Sequence, residues 1–127
     1  MQLYPSLMAC HYFSMADYIK RVLDLGVYGF HLDIMDGNYV DNFALTPALA
    51  REILDLDERV CLQIHLMCCN PSLVIDQLGS YDGRIEYYVH SDQSNAQNLL
   101  KKDFVFPVYN IWEHERPDDR LALAMSV

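Results

Sequence analysis

Residues 30–35, FHLDIM, alternate between two faces, with Phe30, Leu32 and Ile34 on one and His31, Asp33 and Met35 on the other. The same two-residue period recurs at 60–67, where Leu62, Ile64 and Leu66 oppose Gln63, His65 and Met67. It appears again at 84–90, where Ile85, Tyr87 and Val89 oppose Glu86, Tyr88 and His90. Each segment is predicted as a β-strand with one apolar core face and one face carrying polar groups. Strand-like apolar runs at 3–9, 104–109 and 121–127 complete the set.

Helix signals fall between these runs. Ser14-Met-Ala-Asp17 reads as a capping box opening a helix that stops at Gly26. Thr46-Pro47 places a capping hydroxyl before a proline at the first helical position, and Ala50, Ile53 and Leu54 follow in helical spacing. Asn70-Pro71 repeats the device, with Leu73, Val74 and Leu78 as the buried stripe and Gly79 as the stop. A more polar helix is expected over 94–102. The stretch Trp112–Arg120 is short for a strand-to-strand crossover and reads as a loop.

Strand and helix alternate throughout, which implies a parallel sheet with right-handed crossovers. An open doubly wound sheet buries both strand faces and makes both apolar. Here polar groups recur on one face only, as expected of a closed barrel whose upper interior holds a site at the C-terminal strand ends. No Pro/Gly/Ser-rich linker or charge block divides the 127 residues, so a single domain over 1–127 is expected.

Composition narrows the chemistry. A hydrophobic content of 52% supports a packed core. Nine basic against eighteen acidic residues give a formal charge of -9, which opposes nucleic-acid binding because that binding needs Lys and Arg to neutralise phosphates. An anionic small substrate stays open, since backbone N–H groups can hold a phosphate. No apolar run is long enough for a membrane span, and no secretory leader pattern opens the chain. Cys10, Cys61, Cys68 and Cys69 form no CxxC pair, so reduced thiols in a cytoplasmic protein are expected, without a structural zinc cluster.

His31, Asp33 and His65 would lie on the inward faces of neighbouring strands and are ligand types for first-row divalent ions. On spacing alone, a satisfied His–Asp hydrogen-bonded pair is the commoner outcome. Met8, Met35 and Met67 read as packing, Asp36-Gly37 as a tight turn, and His90 as a structural, hydrogen-bonded histidine.

YPSLMA at 4–9, FHLDIMDGNYVDN at 30–42 and IHLMCCNP at 64–71 resemble the ribulose-phosphate 3-epimerase family, including the related allulose-6-phosphate 3-epimerases. VHSD at 89–92, VYN at 108–110 and LAMSV at 123–127 continue the resemblance in order. It implies a TIM (β/α)8 barrel, of which this chain would supply about six of eight strands. It also implies one divalent ion (Zn, Fe, Mn or Co) held by His31, Asp33 and His65. Asp33 falls on one of the family's two acid/base carboxylates, and Ser6, Met35, Met67 and Met125 fall on substrate-contacting positions.

The implied reaction inverts C3 of a small phosphorylated ketose through an enediolate, using two carboxylates on opposite faces. Candidate pairs are ribulose 5-phosphate/xylulose 5-phosphate and allulose 6-phosphate/fructose 6-phosphate. PSLMA and FALTP lean toward the allulose-6-phosphate members. The second carboxylate, also the fourth metal ligand, belongs to the family's seventh strand, and the residues to Val127 do not include it. An open six-strand barrel would expose apolar edges, so a homo-oligomer is expected. The contrasting hypothesis is a non-catalytic relative that keeps the barrel and binds a metal or a partner.

Overall fold

The computed structural model describes residues 2–108, and its sheet has four strands: β1 (Gly29–Met35), β2 (Cys61–Met67), β3 (Ile85–His90) and β4 (Val105–Val108). All pairs are parallel, and each strand lies beside its sequence neighbour in the order β1-β2-β3-β4. Helices fill the connections: α1 (Met15–Asp24) precedes β1, α2 (Pro47–Leu54) and α3 (Pro71–Leu78) link the next strands, and the short α4 (Ala96–Leu99) leads to β4.

Strand parity is as the sequence predicts. Phe30, Leu32, Leu62, Ile64, Leu66, Ile85, Tyr87 and Val89 are buried and share one core with Ile19, Ala50, Ile53, Leu54, Val74, Ile75 and Leu78 from the helices. Full burial of such aliphatic and aromatic side chains contributes about 1.5–3 kcal/mol each, so this layer between sheet and helices dominates the stability. The opposite face, with His31, Asp33, Met35, Gln63, His65 and Met67, is half-buried.

Several local expectations hold. Thr46 Oγ1 accepts from the backbone of Leu49, with Pro47 opening α2. Helix α1 ends as predicted. Gly26 takes a φ of +78°, its N–H reaches Leu23 O, and the N–H of Val27 reaches Val22 O, which together satisfy the last carbonyls of the helix.

Others are corrected. The run at 3–9 is not a strand: it makes an isolated bridge, Ser6 to His31, and then turns into a short 3-10 helix at Leu7–Ala9. Pro5 lacks the N–H a ladder needs, although its carbonyl accepts from His31 N at 3.0 Å. The segment is nonetheless packed tightly on β1, since a side chain at Gly29 would meet Leu3 O at 2.6 Å.

Neither Ser14 nor Asn70 caps with its side chain, because their ψ angles of 4° and 78° leave the extended geometry in which a capping oxygen reaches the helix N–H groups. Leu73 is exposed, and Ile75 takes its place in the buried stripe. The polar helix over 94–102 shortens to the four residues of α4. The expected strand at 121–127, the Trp112–Arg120 connection, Tyr109 and Met125 lie outside the described residues.

Candidate metal centre at the strand ends

Register, added to parity, assembles the site. Asp33 on β1 is the parallel partner of His65 on β2, and His31 lies two residues earlier on the same inward face. Asp33 Oδ1 is 3.2 Å from His65 Nδ1 and 3.4 Å from His31 Nε2. One ligand atom from each of the three residues lies within 4.8 Å of the other two. Two atoms bound to one first-row ion at about 2.0–2.2 Å each are themselves roughly 3–4 Å apart, so the spacing suits a shared ion. Two imidazoles and a carboxylate are also the right donors for a divalent cation of this class.

Electrostatics prepares the carboxylate. Burial works to raise the pKa of Asp33, but the hydrogen bonds and charges of His31 and His65 outweigh it and hold the carboxyl well below its usual range. Asp33 is therefore ionised at neutral pH. Both histidine contacts fall on Oδ1; among the described residues no hydrogen bond reaches Oδ2.

Around this trio the structure places residues that sequence reasoning read as structural or passed over. His90, at the end of β3, is buried, with Nε2 2.8 Å from His65 Nε2 and the two rings stacked at 5.0 Å. Burial, and then the neighbouring His65, push His90 down to about 4. Gln93 accepts from His90 N and donates to Leu66 O and Cys68 O, each at 2.7 Å, which ties the ends of β2 and β3 together.

Asp36 is more than a turn residue. Its Oδ2 accepts from Cys69 N at 2.7 Å, and its Oδ1 accepts from Asn38 N and Tyr39 N at 2.9 Å each, so one carboxylate joins the loops after β1 and β2. Tyr39 donates to Asp92 at 2.7 Å and lays its ring against His90 at 5.4 Å.

The other expected site residues take clear positions. Met35 and Met67 are register partners at the ends of β1 and β2, one step beyond the Asp33–His65 pair in alternation. Ser6 lies beside His31 through its bridge. Below the trio, Gln63, Glu86 and Tyr88 hydrogen-bond to one another on the same inward face. All four cysteines are free, and burial pushes the Cys68 thiol up to about 11, which leaves it protonated and a poor ligand.

A run of parallel strands in sequence order, with its polar inner face converging near the C-terminal ends, has the layout of an α/β barrel and its site. The chain belongs to the ribulose-phosphate 3-epimerase family, a family of TIM barrels, whose model matches residues 2–102. It is 26% identical over 121 residues to the ribulose-phosphate 3-epimerase of Helicobacter pylori (strain J99), covering 91% of this chain and 54% of that protein.

Identity to the cytoplasmic isoform of ribulose-phosphate 3-epimerase from Oryza sativa subsp. japonica is 26% over 98 residues, 76% of this chain and 42% of the relative. For the Synechocystis enzyme of the same name it is 29% over 95 residues, 75% and 40%. The chain thus spans about half or less of the length of these relatives. Its four parallel strands form part of the family's barrel. No described helix is long and apolar enough to cross a membrane.

Proposed function

We propose that the whole protein is a metal-dependent sugar-phosphate 3-epimerase, and that residues 1–127 form one barrel domain contributing the first metal ligands and one of two acid/base groups. The observation that carries this reading is the meeting of His31, Asp33 and His65 at one point on the inner face.

A divalent ion held by these three residues would act as a Lewis acid on the ketose C2 carbonyl and stabilise the negative charge that develops as C3 loses its proton. Residues of this chain supply the first proton transfer and its surroundings. Asp33 is ionised before the ion arrives, because its histidine neighbours hold it so, and a bound cation would keep it ionised. With one carboxylate oxygen on the ion, the other oxygen of Asp33 would be the one that takes the C3 proton. Met35 and Met67, at the strand ends, give the planar enediolate an apolar wall that keeps water from reprotonating it on the wrong face. Inversion requires a second acid on the opposite face, which in the family belongs to a later strand.

A cytoplasmic setting is part of the proposal. Four free cysteines suit a reducing compartment, and one relative is named a cytoplasmic isoform. The test is solvent exchange. The metal-loaded whole protein, incubated with ribulose 5-phosphate or allulose 6-phosphate in D2O, should place deuterium at C3 of one of them. No incorporation at C3 of either ends this reading and leaves the non-catalytic one.

A further inference from the structure

Among the described residues, one buried side-chain polar atom lacks a hydrogen-bond partner, and it is Nδ1 of His90. The ring that carries it is not free to turn away. Its backbone N–H is held by Gln93, its face packs on His65, and Tyr39 lies against it. Its other nitrogen, Nε2, sits 2.8 Å from Nε2 of His65.

At that distance the two Nε2 atoms share one hydrogen, so one ring donates and the other accepts. Which one donates is decided at the far side of His65. With no ion present, His65 Nδ1 donates to Asp33 Oδ1 at 3.2 Å, which leaves its Nε2 a bare acceptor. His90 must then carry its hydrogen on Nε2, and its Nδ1 is a buried lone pair. If instead the Nδ1 lone pair of His65 faces a cation, the hydrogen of neutral His65 must sit on Nε2. His90 Nε2 must then accept, and the hydrogen of His90 moves to Nδ1.

We propose that His90 is the positioning residue of the metal centre, accepting the Nε2 hydrogen of His65 when an ion is bound and changing tautomer as the ion comes and goes. The proposal rests on the reading of His31, Asp33 and His65 as a cation site. Protons balance across the change. One leaves His65 Nδ1 to water, one is taken from water at His90 Nδ1, and the shared hydrogen passes from His90 Nε2 to His65 Nε2. The orphaned Nδ1 follows from this: a permanent partner there would fix one tautomer and oppose the other.

The test is long-range ¹H–¹⁵N correlation of the histidine rings in the ¹⁵N-labelled whole protein, with and without Zn²⁺. His90 is expected as the Nε2–H tautomer without zinc and the Nδ1–H tautomer with it. If zinc shifts the rings of His31 and His65 while His90 keeps one tautomer, the role of His90 is overturned and the metal site stands. If zinc moves none of the three rings, the metal site itself fails, and this inference with it. Zinc affinity gives an independent readout: His90→Phe should weaken binding about 10–100-fold, and His90→Gln, whose amide oxygen can accept, should recover most of the loss. Equal affinity in wild type and both variants contradicts the proposal.

Discussion

Asp33 and His65 face each other across two parallel strands, with 3.2 Å between carboxylate and imidazole, and their alignment follows from a register that pairs β1 and β2 residue for residue. Since the same carboxylate is the proposed base, Asp33→Asn probes its chemical role. The amide keeps the shape, so circular dichroism should change little, while loss of the depressed carboxylate should lower the melting temperature only modestly. Turnover of the whole protein should fall by about 10²–10⁴-fold, the usual contribution of a positioned acid/base group. Retained turnover would remove Asp33 from the mechanism.

Asp36 predicts a pH effect on folding. Hydrogen bonds from the backbone of Cys69, Tyr39 and Asn38 lower its carboxyl from the ordinary 3.8 to about 2. A group depressed in the folded state stabilises it above its unfolded pKa, and that contribution disappears as pH falls through the folded value. The window is therefore about pH 4 down to about pH 2. Asp36→Asn should flatten the loss of stability across that window, measured as urea midpoints at pH 5 and pH 2.5. An unchanged slope would mean that the loop junction does not couple to folding.

The hydroxyl of Tyr87, fully buried beneath the helices, donates to Gly79 O at 2.7 Å, where α3 ends. Tyr87→Phe leaves that carbonyl without its donor at almost no change in volume. A destabilisation of about 1–2 kcal/mol is expected in chemical denaturation, with turnover unaffected, because the residue faces away from the site.

Gln93 has the opposite signature. Gln93→Leu strips the partners from His90 N, Leu66 O and Cys68 O together. Each buried group left unsatisfied costs about 1–3 kcal/mol, so a loss of about 3 kcal/mol or more is expected, and metal affinity should fall as His90 loses its anchor. Stability lost with affinity intact would show that His90 is held by its ring contacts alone.

Much of this architecture is legible in the sequence because strand parity is a local property. Alternation alone puts Phe30, Leu32 and Ile34 in the core and His31, Asp33 and Met35 on the other face, and Thr46-Pro47 fixes the start of α2 in the same local way. What parity cannot supply is distance between strands. His90 reads as an ordinary structural histidine until the stagger of β2 and β3 brings its ring onto that of His65. Asp36 looks like a turn residue for the same reason, since its strongest partner, Cys69, is 33 positions away.

The errors at Ser14 and Asn70 have a different origin. A capping motif specifies a side chain, but the preceding chain dictates ψ, and at both positions the entry path defeats the cap. The run at 3–9 shows the same limit, because its apolar content suggests a strand while Pro5 removes one of the donors that would build the ladder.

The most direct measurement is anomalous diffraction from crystals of the whole protein grown with Zn²⁺, collected on both sides of the zinc edge. One strong peak is expected within bonding distance of His31 Nε2, an Asp33 carboxylate oxygen and His65 Nδ1. A map with no peak there, and with Asp33 still in contact with both histidines, would contradict the metal site.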